Sequence, residues 1–200
     1  MKHYTRTSIP QEPVAIADAL TFLRAGGGPE DTATVSSLIS VARDFTESFT
    51  GRALCSSAFL LVCDDWTTKG AAITGDVITL DRSPLISVES VSYYAEGDTD
   101  LTEMVEGTDY IVITGTTPGR IQFLVDPPTL AERPDAVQIA FTAGAASPAN
   151  IPPTLVHAVR LLVAHFYALR TPVNVGNIVN DIPMGLRHIL ESQRVSGWCA

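Results

Sequence analysis

With 200 residues, 46% of them hydrophobic and 18% charged, the chain can bury one substantial core and a small second lobe, which excludes a disordered tail. Thirteen Lys and Arg against 22 Asp and Glu give a formal net charge of -9, the wrong sign for gripping nucleic-acid phosphates, and the basic residues are scattered without an interleaved aromatic platform. Cys55, Cys63 and Cys199 are too far apart for a zinc site or redox motif and fit a reducing compartment.

In the opening MKHYTRTSIPQEP, Pro10 and Pro13 interrupt the run before the apolar stretch of a secretory signal can form. No later run approaches the roughly 18 apolar residues of a membrane span, so a soluble protein made in the cytoplasm is expected. Ile16, Ala19, Leu20 and Leu23 then recur at helical spacing until Gly26, Gly27 and Gly28, which read as a cap and hinge. A second helix is expected from Pro29, with Glu30 and Asp31 at the positive end of its dipole. Its stripe is Val35, Leu38, Ile39, Ala42, Phe45 and Phe49, and Gly51 stops it.

From Ala58 the period changes. FLLVC, VITL, ISVESVSYY, YIVIT, RIQFLV and AVQIAF, separated by turn signals such as AEGD and VDPP, read as about six strands, antiparallel because the connections are too short for crossover helices. In ISVESVSYY, Val88, Val91 and Tyr93 break alternation by one position, the mark of a bulge or of an inexact boundary. Pro152 and Pro153 open a third helix that runs to Arg170, TPVNVGNIVNDIP connects it to a last short helix MGLRHILESQR, and VSGWCA is the tail. The expected fold class is α+β. A small bundle of four helices, residues 1–56 and 144–200, carries an antiparallel β-rich insertion, residues 57–143, between its second and third helices.

At about 100° per residue, Leu155, Val156, Val159, Leu162, Val163, Phe166, Tyr167 and Leu169 share one side of the third helix. Thr154, His157, Arg160, Ala164, His165 and Ala168 share the other, with Leu161 as its large apolar member. His157 and His165 lie roughly 12 Å apart along the axis, too far to share a metal. The stripe of Arg160, Leu161, Ala164, His165 and Ala168 reads instead as a face packed on a neighbouring subunit, its small residues letting a second helix approach.

Chemistry is otherwise sparse. The glycine run follows a helix, not a strand, so it is no phosphate cradle. Asp64 and Asp65 are adjacent, would point to opposite faces of a strand, and read as a turn rather than a cation site. GTTPGRIQF reads as a hairpin turn at Pro118 and Gly119. No catalytic residue, metal ligand or cofactor site is expected. A rival reading is a small-ligand or carbohydrate-binding module with Trp66, Tyr93 and Tyr94 as stacking faces, and another is a hydrolase with a dispersed site.

Taken in order, LISVARDFTESFTGRAL, ITLDRSPLISVESVSYY, DYIVITGTTPGRIQF, AVQIAFTAG, IPPTLVHAVRLLVAHFYALR and IPMGLRHILESQRV resemble the long members of the head-tail connector, or adaptor, family of tailed bacteriophages and gene transfer agents. The sequence departs from that pattern in AGAASPANIPP, where the family carries an aromatic-containing glycine loop, and in the less acidic GGGPEDTAT. The resemblance implies a virion protein made in the bacterial host cytoplasm. It would form a homo-oligomeric ring of about twelve copies beneath the portal protein, passing DNA without reading its sequence and attaching a tail or stopper component, with no enzyme activity and no membrane contact. Val175, Ile178, Val179 and Trp198 lie in segments without a regular period, and they are expected either to contact the portal or tail or to fold back as a lid over the helices.

Overall fold

The computed structural model describes residues 2–8, 11–66, 77–168 and 184–195. Four helices and eight strands lie among them, an α+β fold as expected. Helix α1 spans Ile16–Leu23 and ends on Arg24, which itself takes the left-handed conformation at φ 53°. The glycines therefore follow the cap rather than form it, and Gly28 serves as the N-cap of α2, Pro29–Thr50. Gly51 closes α2 at φ 73°, its N–H donating to the Glu47 carbonyl at 2.9 Å, as its lack of a Cβ predicts. A single 3₁₀ turn, Pro148–Asn150, leads into α3, Pro153–Ala168, and α4 spans Met184–Ser192.

The strands are β1 Lys2–Arg6, β2 Ser57–Cys63, β3 Val77–Leu80, β4 Leu85–Tyr94, β5 Leu101–Glu103, β6 Tyr110–Ile113, β7 Gly119–Phe123 and β8 Val137–Ala143. They form a five-stranded sheet ordered β1-β2-β8-β4-β5 and a three-stranded sheet ordered β3-β7-β6, with every strand pair antiparallel. In the central strands β2 and β8 every second residue is buried, so Phe59, Leu61, Ile139 and Phe141 point to one side. Phe59 faces Phe141 across the ladder and the rings stack at 5.5 Å. The broken alternation in β4 is a bulge region: its pairing with β8 slips between Leu85 and Ser87 and again between Val88 and Ser90.

Two strands escape the sequence pattern. β1 is an edge strand of mostly polar residues, docked on β2 with Tyr4 opposite Leu61. β5 has all three of its residues exposed, so no alternation betrays it. Gly119 also has a different role from the turn expected of it. It begins β7, and a Cβ there would overlap the Leu85 side chain, so close packing explains it.

Burial divides into two clusters. Residues of both sheets, among them Leu61, Leu80, Val91, Ile121, Ile139 and Phe141, make one core. The helices make the other through Val35, Ile39, Ala42, Leu155, Val159, Leu162 and Leu190. The clusters meet where the chain passes from α2 to β2 and from β8 to α3. There Ala145 donates to Leu54, Ser56 donates to Ala145, and Gly144 donates to Pro84. Gly144 sits at φ 119°, and a Cβ would strike the Cys55 carbonyl, so only glycine fits.

Charged groups reinforce this joint. Glu47, 3% exposed, accepts the Leu54 N–H at 2.7 Å and pairs with Arg6 of β1. Arg82 donates to the Glu47 carbonyl at 3.3 Å, and Tyr4 donates to Asp81 at 3.1 Å. Nearby, Arg43 pairs with Glu12 and, at 3.0 Å, with Asp44.

Beside the joint, burial pushes the Cys55 thiol up to about 11, with Glu47 and Glu12 adding to the rise. In the unfolded chain that thiol ionises near 9.0. The folded state therefore holds its proton longer, and this stabilisation is complete below pH 9 and lost as the pH rises toward 11. Tyr4 is raised in the same sense, by burial first and then by Asp81. Urea melts should show stability falling through that alkaline window, with Cys55→Ala removing part of the slope.

Candidate assembly surface

Helix α3 separates its residues by face. Leu155, Ala158, Val159, Leu162 and Val163 are buried in the helical core. Arg160, Leu161, Ala164 and His165 are half-buried and Ala168 is exposed, so the five residues singled out as an interface sit together on the outer side of one helix. Leu161 leans against the helical core, and Ala164 lies nearly opposite the buried seam at about 100° per residue.

Helix α1 borders this face. The Arg160 guanidinium stands 3.5 Å from Asp18, and Phe22 meets the exposed His157 edge-on with ring centroids 6.4 Å apart. Phe22 is 42% exposed and enlarges the apolar part of the patch. It falls outside the stripe Ile16, Ala19, Leu20 and Leu23 that marks α1 in sequence, and that position is the signal by which it can be found. His165 contacts the ring of its neighbour Phe166 at 5.8 Å. Among the described residues there is no cluster of three or more His, Cys, Asp or Glu able to hold a metal, and no helix long and apolar enough to cross a membrane.

Trp66 does not offer a stacking face. It is 8% exposed, its indole N–H donates to the Pro128 carbonyl at 2.9 Å, and its ring packs on Tyr93 and Phe123 with centroids 5.8 and 5.1 Å away. Tyr94 is covered by the Arg133 guanidinium, 3.6 Å from its ring centre. The three aromatics thus serve the sheet core and its rim, and Asp64 and Asp65 border an open recess beside them. Val175, Ile178, Val179 and Trp198 lie outside the described residues.

No protein-family model matches the chain, and no curated protein matches it. Solved structures do. The chain is similar to one in the neck of an empty gene transfer agent (GTA) particle computed with C6 symmetry, with a TM-score of 0.73 and 27% identity over 98% of this chain and 95% of that one. It is similar to one in the virion of a native GTA particle, with a TM-score of 0.73 and 26% identity over 96% and 95% of the two chains. A chain in the neck of a native GTA particle computed with C12 symmetry shares the fold at a TM-score of 0.66 and 23% identity, over 98% and 95%. The α+β arrangement described above, sheets and helices together, is therefore one found in phage-like particle necks.

Proposed function

We propose that this chain is a structural head-tail connector of a tailed phage or phage-like particle. Copies form a ring below the portal, extend the DNA channel and present the surface to which the tail or stopper component attaches. The observation that carries this reading is the likeness, over 98% of the chain, to a protein of a GTA neck. In this reading the helices of segments 1–56 and 144–200 build the ring contacts, the β-rich insertion 57–143 takes residues 2–6 as its edge strand β1, and Arg160, Leu161, Ala164, His165 and Ala168 meet the next protomer. A net charge of -9 with dispersed basic residues suits a channel past which DNA must slide, since strong phosphate contacts would retard it. The portal or tail contact falls to Val175, Ile178, Val179 and Trp198.

Truncation tests the assignment of the tail. Val195 is 4% exposed and its N–H donates to the Thr50 carbonyl at 2.9 Å, so the core includes it and the cut belongs after it. A chain ending at Val195 is expected to melt within about 2 °C of the full chain yet fail to co-purify with the cognate portal. Docking retained alongside a lower melting temperature would instead make the tail a lid over the helices.

A further inference from the structure

A ring closes only if each protomer offers two different surfaces, because successive copies are related by one rotation and meet head to tail. The α3 face is one such surface. Two α3 faces set against each other would make a two-fold pair and stop there. We propose that the outer face of α2, bearing Glu30, Ala33, Ser37, Val41 and Asp44, receives the α3 face of a second copy of this chain. The inference rests on the ring reading above and names the surface that reading leaves open.

Direction is the first argument. Helices α2 and α3 bury Val35, Ile39 and Ala42 of one and Leu155, Val159 and Leu162 of the other in a common core. Their remaining faces are turned away from that seam, and hence away from each other, on opposite sides of the bundle. Head-to-tail contact requires that disposition.

Surface chemistry is the second. Val41 is 52% exposed in the middle of the α2 face, among the exposed small residues Ala33 and Ser37. The Ser37 hydroxyl donates to the Thr34 carbonyl at 2.8 Å, so covering it strands no donor. On the partner face, Ala164 and Ala168 leave room for a helix to come close, beside Leu161.

Charge is the third, and it decides the occupant. The outer residues of α3 include Arg160 and His157 and no carboxylate. The α2 face has Glu30 and Asp44 and no exposed Lys or Arg. Asp44 accepts from Arg43 at 3.0 Å and from Arg6 at 3.4 Å, yet its side chain remains 61% exposed, and Glu30 on the same face is exposed. Arg160 reaches its own Asp18 only at 3.5 Å, leaving donors for a partner. An α2 face carrying Glu30 repels a copy of itself and attracts the Arg160 end of the α3 face, where Asp18 stands 3.5 Å away.

Cross-linking tests this directly. In a Cys199→Ser background, where Cys55 and Cys63 are buried, Val41→Cys is combined with Ala164→Cys, and in a second variant with Ala168→Cys. Particles carrying these chains are treated with a short bis-maleimide while their necks are imaged. The expected result is a ladder of covalent multimers from at least one double variant and only monomer from each single variant. A dimer from Ala164→Cys alone, or a ring in the images with no ladder, overturns the α2 assignment and leaves the ring reading standing. Necks with no ring of this chain overturn both.

Discussion

An Ala164→Glu chain is expected to fold normally and to be absent from assembled rings. Ala164 is half-exposed on the outer side of α3, so in the free protein the new carboxylate reaches water, and glutamate sustains a helix nearly as well as alanine. Chemical denaturation should place its stability within about 0.5 kcal/mol of the parent. Between protomers the same side chain must be crowded against a packed helix without a dedicated partner. A loss of roughly 3 kcal/mol at that contact weakens association more than about a hundredfold. Ala164→Ser, similar in size and able to bond its own helix backbone, serves as the control and should assemble. Unfolding of the glutamate variant would make the stripe part of the core, and normal assembly would make it solvent-facing.

The second large effect is on stability. Removing the Glu47 side chain leaves the Leu54 N–H without its acceptor and the Arg6 guanidinium without its principal anion, at a site 3% exposed. Breaking one side of such a buried pair costs about 3–5 kcal/mol. Glu47→Ala should therefore lower the urea midpoint substantially. Glu47→Gln, which keeps an oxygen for Leu54 but not the charge, should cost less. Because Arg6 belongs to β1, the alanine variant should also expose the first strand to proteolysis before the rest of the sheet. Equal behaviour of alanine and parent would mean that the backbone ladder alone holds the joint.

Much of the fold was legible because its elements obey a single period. The α2 stripe, the alternation of β8, the Gly51 cap and the prolines opening α3 all appear in the sequence as the physics of each element requires, while β2 reads as a continuous apolar run whose alternation shows only in its burial. The slip in ISVESVSYY was visible too, and its meaning came with the pairing partner: two register shifts against β8. What stayed hidden depends on contacts across the chain. β1 contributes little more to the core than Tyr4, and its place is fixed by pairing with β2 and by ion pairs to α2. Trp66 read as an available aromatic because nothing local says that Tyr93 and Phe123 cover it.

The candidate surface shows the same division. The α3 stripe and the outward positions of Phe22 and the α2 face follow from helical spacing, whereas the meeting of Phe22 with His157 and the opposite disposition of the α2 and α3 faces require knowing how three helices pack. Val41 lies off the α2 stripe, so helical spacing turns it outward, and its 52% exposure on the folded bundle agrees.

Cryo-electron microscopy of particles containing this chain, focused on the neck, tests the central claim most directly. The account predicts a closed ring of this protein between portal and tail, with residues 160–168 of each copy at the boundary with the next. A neck without the chain, or a ring in which that helix face looks into solvent, would contradict it.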